Sequence, residues 1–232
     1  MKSQQSKFKL VNRGFAKTIV LIPGWASDYR IFDSLDLGYN YLLPVEFNPF
    51  DFDNSLKESL RKHSLGKVSM FGLSLGGFVA AEFAAMNTSL IDELFLISIR
   101  RRYNLKVLQD IELKLQKSRK AFLHKFYLAG FAKGDKEGLS WFKKNLLKCY
   151  LEGIKLEELL RGLDYLSSTY LKPESLSAIQ KLKIFHGKMD AIAPVREAQV
   201  IKSYLPQAEL ICIENSGHLF HLNPDFKAIF NG

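Results

Sequence analysis

The sequence predicts an α/β fold: a mostly parallel central sheet with helices on both faces, interrupted once by a helical block. Three observations lead there. Short β-branched apolar runs alternate with helical patterns up to residue 98 and again from 182. One junction reads Gly72-Leu73-Ser74-Leu75-Gly76-Gly77, between the apolar run 67–71 and the small-residue helical pattern 78–85. From 104 to 175 the strand pattern vanishes and leucines recur at helical spacing, as at Leu105, Leu108, Ile111 and Leu115, then Leu156, Leu159, Leu160 and Leu163. The chain thus divides into a core of residues 1–103 and 176–232 and a helical insertion of 104–175.

The elements follow in order. Residues 8–11 read as a short opening strand, and the continuous run Thr18 to Ile22 as a buried central one. That run ends at Pro23-Gly24-Trp25, a turn. Asp28 suits the cap of a short helix through Leu35. Residues 41–45 suit a third strand, with Pro44 at an edge or a strand end. Asp53, Asn54 and Ser55 are N-cap types for a helix through His63. The run 94–98 is a buried strand. Past the insertion, strands are expected at 182–185 and 210–213, with a helix near 195–204 and a terminal helix opening at Asn223 or Pro224.

At 232 residues the chain suits one domain carrying an insertion. Hydrophobic content of 47% and charged content of 25% are ordinary for a globular protein. No apolar run approaches the ~20 residues of a membrane span. The polar start, Met1 to Lys7, leads into no signal-type apolar core. The two cysteines, Cys149 and Cys212, have neither disulfide-framework nor zinc spacing. A cytoplasmic location, no metal and no other cofactor are the expectations.

The Gly-x-Ser-x-Gly junction matters because strand, sharp turn and helix together lift a serine hydroxyl clear of a sheet. A serine so placed needs a base, and the base needs an acid. Asp190 follows the 182–185 strand in Gly187-Lys188-Met189-Asp190, and His218 follows the 210–213 strand in Gly217-His218. Parallel strand ends emerge on one edge, so the three converge. Ser74 is then the nucleophile, His218 the base, and Asp190 the group that fixes the histidine tautomer. Singly, each motif is a commonplace turn; in this order, each at a strand end, they point to one site. The backbone N–H groups of Leu75 and Trp25 are the expected oxyanion donors. His221 is the closest rival base, but its apolar neighbours favour packing. His186 also reads as packing, and His63 and His124 as surface residues.

These residues resemble the α/β-hydrolase superfamily across nearly the whole chain. More narrowly they are similar to the BioH-type pimeloyl-[acyl-carrier protein] methyl ester esterases. Four passages carry the likeness: Leu21-Ile22-Pro23-Gly24-Trp25-Ala26; Gly72 to Gly77; Gly162-Leu163-Asp164-Tyr165-Leu166 with Tyr170-Leu171-Lys172; and His186 to Pro194. The third is the most discriminating. Pro23 stands where that family has histidine, Leu73 where it usually has tryptophan, and Tyr170 and Lys172 replace an acid and an arginine. The resemblance implies a cytoplasmic serine carboxylesterase that cleaves the methyl ester of a pimeloyl-carrier-protein thioester in biotin biosynthesis. A generalist small-acyl esterase or thioesterase, a menaquinone-pathway lyase of the same fold and a non-catalytic binding protein of that fold are the alternatives.

In such enzymes the insertion is a lid over the serine. Residues 101–150 hold 13 of the 33 Lys/Arg and only 4 of the 24 Asp/Glu, so this stretch carries the whole net charge of +9. A basic lid suits an acidic acyl-carrier protein, which it would steer. Arg100, Arg101, Arg102, Lys117, Arg119, Lys120, Lys143 and Lys144 are the candidates; a merely solvated helical surface is the plain reading. No nucleic-acid motif accompanies the charge. Residues 114–127 have the composition of a membrane-surface helix, but no stable membrane association is expected. Phe122, Tyr127, Trp141 and Phe142 read as lid packing, and a monomer is the expected state.

Overall fold

Alternating apolar runs become the strands β1 (Phe8–Val11), β2 (Thr18–Ile22), β3 (Asn40–Pro44), β4 (Val68–Leu73), β5 (Ile91–Ile97), β6 (Leu182–Gly187) and β7 (Glu209–Ile213) in a computed structural model that describes residues 7–231. The polar stretch Met1 to Ser6 lies outside the described residues. The strands form one 7-stranded sheet in the order β1-β3-β2-β4-β5-β6-β7. Only β1 runs antiparallel, against β3; every other pairing is parallel. The fully buried strands β2 and β4 sit in the middle, in keeping with their largely apolar sequences.

Helices surround the sheet. α1 (Phe52–Lys62) buries Phe52, Leu56, Ser59 and Leu60, one stripe at helical spacing. α2 (Leu75–Met86) buries nine of its twelve residues, and its glycines and alanines let it lie close to the strands. α7 (Val195–Ser203) packs on β6 and β7. α8 (Phe226–Asn231) sets Phe226 and Phe230 against Phe71, Phe95 and Phe185, with ring centroids 4.7 Å apart for Phe95 and Phe230. Each such buried phenylalanine contributes roughly 1.5–3 kcal/mol by leaving water.

Two expected helices are shorter than their sequences suggest. Asp28 does cap, accepting from the Arg30 N–H at 2.9 Å, but the helix is a single 3-10 turn, Tyr29–Phe32. The Tyr41 hydroxyl holds the Leu37 N–H at 2.7 Å and the Leu35 carbonyl at 3.1 Å, which turns the chain back toward β3. The terminal helix starts at Phe226 rather than at Asn223 or Pro224, and the Asn223 side chain is engaged by Gly138 and Asp135. Pro44 ends β3 opposite Phe8, so it is a strand end on an internal strand.

The insertion contains α3 (Leu105–Ala129), α4 (Lys136–Phe142), a π turn (Lys143–Leu147), α5 (Lys148–Gly153) and α6 (Leu156–Ser168). Ser118 interrupts α3 with extended backbone, φ −162° and ψ 87°, so two helical pieces meet there. Leu115, Leu123 and Tyr127 turn inward, and Phe122 and Phe126 pack on Trp25. The apolar side of 114–127 therefore packs against the protein's own residues. Among the described residues no helix is long and apolar enough to cross a membrane.

Candidate active site

Ser74 joins β4 to α2 with φ 52° and ψ −111°, a conformation that non-glycine residues rarely adopt. Neighbouring backbone holds it there: the Ser74 N–H donates to the Ile97 carbonyl at 2.8 Å, and the Gly77 N–H donates to the Ser74 carbonyl at 2.9 Å. The turn also needs its two glycines. A Cβ on Gly72 would stand 2.5 Å from the Gly76 carbonyl oxygen, and one on Gly76 would strike the Ile22 carbonyl oxygen.

Asp190 and His218 follow β6 and β7, and their loops are laced together. The Met189 N–H donates to the Ser216 carbonyl at 2.9 Å, and the Lys188 N–H to the Ile213 carbonyl at 2.9 Å. Asp190 Oδ2 accepts from His218 Nδ1 at 2.7 Å, while its Oδ1 accepts from the Ile192 and Ala193 N–H groups at 2.8 Å each. With Nδ1–H directed at Asp190, Nε2 of the neutral ring is left to take a proton. Burial works to raise the Asp190 carboxyl, but His218, with His186 and the Ala193 N–H, outweighs it and holds the group below its ordinary value.

Ser74 and His218 line one small apolar cavity of about 30 Å³, room for about one water. Phe126, Tyr127, Phe142 and Tyr150 of the insertion close it on one side, and Gly24 and Trp25 on another. The Ser74 hydroxyl has the Tyr103 hydroxyl as its partner, at 3.5 Å. Arg100 stacks over the Tyr103 ring at 4.6 Å. The Gly24 loop lies directly beside Ser74: a Cβ on Gly24 would be 3.4 Å from the Ser74 Cβ. Trp25 and Leu75 thus stand on the two segments that flank Ser74. Both also line a wider groove of about 590 Å³ that runs past Arg161 and Gly162 of α6.

The remaining histidines lie elsewhere. His221 is buried among Phe32, Phe71 and Phe220. Burial, with a smaller push from His218, drives its imidazole down to about 3 against a weak opposing effect of the Ile31 carbonyl. His186 Nε2 meets the Ala193 carbonyl at 2.6 Å and stands 3.5 Å from Asp190 Oδ2, so it packs against Asp190 rather than Ser74. His124 is exposed, whereas His63 ends α1 half-buried.

The eight cations singled out on the insertion and its approach fall into two groups. Arg100 donates to the Arg102 and Ile192 carbonyls, Arg101 pairs with Glu197 at 3.3 Å, and Arg119 donates to the Ile154 carbonyl. These three are engaged within the chain. Arg102, Lys117, Lys120, Lys143 and Lys144 are exposed, with no side-chain partner among the described residues.

Three residues at the site escape sequence reasoning. Tyr103 touches the Ser74 hydroxyl, Ser98 donates its hydroxyl to the His218 carbonyl at 2.8 Å, and Asp135 accepts from the Gly217 N–H at 2.7 Å. None belongs to a spacing motif. Ser98, a buried polar residue at the very end of an apolar strand, is the one that carried a local signal.

No protein-family model matches the chain. Over 228 residues it is 24% identical to a pimeloyl-[acyl-carrier protein] methyl ester esterase of Nitrosomonas europaea, covering 88% of this chain and 90% of that protein. A thermophilic esterase from Thermogutta terrifontis superimposes with a TM-score of 0.81 at 16% identity, over 97% of this chain and 90% of that one. A bromoperoxidase from Bacillus anthracis gives 0.80 at 20% identity, over 97% and 93%. An α/β-hydrolase enzyme from a Medee basin deep-sea metagenome library gives 0.74 at 17% identity, over 91% and 86%. The chain has the α/β-hydrolase fold.

Proposed function

We propose that this α/β-hydrolase-fold chain is a serine carboxylesterase, with Ser74 as nucleophile, His218 as general base and acid, and Asp190 as the acid that orients His218. The observation that carries the reading is Ser74, strained at φ 52°, in one cavity with a His218 ring whose Nδ1 is bonded to Asp190. A serine hydroxyl is a weak nucleophile until a neighbouring base takes its proton. Ser74 Oγ attacks the ester carbonyl as His218 Nε2 accepts that proton. The Trp25 and Leu75 N–H groups hold the oxyanion, at the positive end of the α2 dipole. The C–O bond to the alcohol breaks as His218 returns the proton to the departing oxygen. Water then attacks the acyl-enzyme as His218 takes its proton, and the bond from the acyl carbon to Ser74 Oγ breaks as His218 returns that proton to Oγ, which frees the acid. Asp190 stabilises the imidazolium in both halves.

The substrate class is a methyl ester of a pimeloyl chain on an acyl-carrier protein, cleaved in biotin biosynthesis. The likeness to the Nitrosomonas protein supports this, as do the exposed basic residues Arg102, Lys117, Lys120, Lys143 and Lys144. An acidic carrier protein is drawn to such a surface, and the groove of about 590 Å³ past Arg161 reaches Trp25 and Leu75, on the segments that flank Ser74. The cavity at Ser74 holds about one water, so an ester reaches the serine only when Phe126, Tyr127, Phe142 and Tyr150 move.

Two experiments test the two levels. A fluorophosphonate probe labels Ser74, and S74A abolishes both labelling and ester hydrolysis; hydrolysis retained in S74A sinks the esterase. Expression in a biotin auxotroph lacking its methyl esterase restores growth. Failure to rescue with active, folded protein removes the biotin substrate and leaves the esterase standing.

A further inference from the structure

Asp135 lies in the loop between α3 and α4, and none of its surface reaches solvent. A carboxylate so buried requires a cation or a set of donors. Its partners are donors. The Ala132 and Gly217 N–H groups reach Oδ2 at 2.7 Å each, and the Asn223 amide reaches Oδ1 at 2.7 Å. Hydrogen bonds to a carboxylate are about twice as strong as neutral ones. Gly217 immediately precedes His218.

A second bond brackets the histidine from its other side: the Leu219 N–H donates to the Gly130 carbonyl at 2.9 Å. A third ties the same loops, from the Gly134 N–H to the Asn215 carbonyl at 3.0 Å. The fit is closed. A Cβ on Gly217 would stand 2.7 Å from the Gly130 carbonyl oxygen and 2.8 Å from the Ala132 nitrogen. The core holds the same residue through the Ser98 hydroxyl on the His218 carbonyl. The backbone on both sides of His218 is therefore anchored to the insertion, and its charged anchor is Asp135.

We propose that Asp135 is a positioning residue for His218, by which the helical insertion fixes the placement of the general base. The proposal rests on the reading of Ser74, His218 and Asp190 as the reacting set. Replacing Asp135 by alanine leaves the Gly217 and Ala132 N–H groups and the Asn223 amide without their acceptor, and the His218 loop moves. Displacing a reacting group by about 1 Å costs about 10²-fold in rate. Asparagine keeps one oxygen for Gly217 and Ala132, and sets its NH₂ against the Asn223 amide, away from His218.

The test is the per-site rate at which a fluorophosphonate labels Ser74, together with the number of sites it titrates. Labelling needs only the serine and its base, so it reads the proposal even if the natural ester is misassigned. D135A is expected to keep a full titre with a per-site rate about 100-fold lower, and D135N a full titre with a rate about fivefold lower. A merely structural residue gives the opposite: fewer titratable sites, each reacting at the unsubstituted rate, and that result overturns the proposal. If D135A does not fold, D135N decides alone. An unchanged per-site rate in D135N rejects the positioning role, and a reduced rate at full titre sustains it.

Discussion

Trp25 donates its indole N–H to the Leu159 carbonyl at 2.9 Å, so the loop beside Ser74 is bonded to α6 of the insertion. The same loop is gripped twice more: Tyr127 donates to the Ala26 carbonyl at 2.6 Å, and the Tyr150 hydroxyl stands 3.4 Å from the Asp28 carbonyl. Core and insertion are therefore joined at the segment expected to hold an oxyanion. W25F keeps the ring contacts with Phe122 and Phe126 but loses this bond. The Leu159 carbonyl remains an acceptor within α6, so the loss stays near ~1 kcal/mol and lowers Tm by about 2–4 °C. A complete loss of one oxyanion donor is worth roughly 3 kcal/mol, and a loosened one less, so kcat for p-nitrophenyl acetate falls about tenfold. Thermal unfolding and steady-state kinetics check both numbers; an unchanged Tm and kcat would detach the insertion from the oxyanion loop.

D190N isolates the bond from His218 to its acid. The asparagine retains the shape of the turn but presents an amide that does not fix Nδ1–H, so His218 occupies the wrong tautomer for part of the time. The expected loss in kcat is about 10³- to 10⁴-fold with KM little changed. A loss under about tenfold would mean that Asp190 is not the orienting acid.

The convergence of Ser74, Asp190 and His218 was legible because each follows a strand and the strands are parallel: Ser74 after β4, Asp190 after β6, His218 after β7. Local pattern alone brings such residues to one edge. Asp135 was not legible for the converse reason. It sits 82 positions from Gly217, in a loop whose course depends on how α3 and α4 dock, and no spacing rule spans that. Arg100 and Arg101 show another limit: in sequence they extend the basic stretch, and only the structure shows that Ile192 and Glu197, from beyond the insertion, bond them. Charge counted along a chain does not distinguish a free cation from a paired one.

Among the free cations, Lys143 and Lys144 stand together on the π turn of the insertion. If the substrate arrives on an acidic carrier, kcat/KM for the carrier-bound ester falls about tenfold between about 50 and 500 mM salt, as the screening length shortens. A free methyl ester has no such partner and changes less than about twofold. Charge reversal at both positions, K143E with K144E, lowers carrier-ester turnover at low salt and leaves the free ester's turnover in place. Equal salt responses of the two substrates would remove electrostatic steering from the account.

His221 makes stability depend on acidity. In the unfolded chain its imidazole titrates near 6.5; folded among Phe32, Phe71 and Phe220, it takes no proton until about pH 3. Above pH 6.5 neither state is protonated and this contribution is complete. Between about 6.5 and about 3 the unfolded chain binds a proton that the folded one refuses, so acidification favours unfolding. The slope approaches about 1.4 kcal/mol per pH unit, and the loss from this group between pH 7 and pH 5 is about 2 kcal/mol. H221F removes the titrating group. Urea midpoints measured at both pH values for both proteins give the difference, in which any constant packing cost of the phenylalanine cancels. The unsubstituted protein is expected to lose about 2 kcal/mol more than H221F on acidification, and parallel losses would show that His221 is protonated in the fold after all.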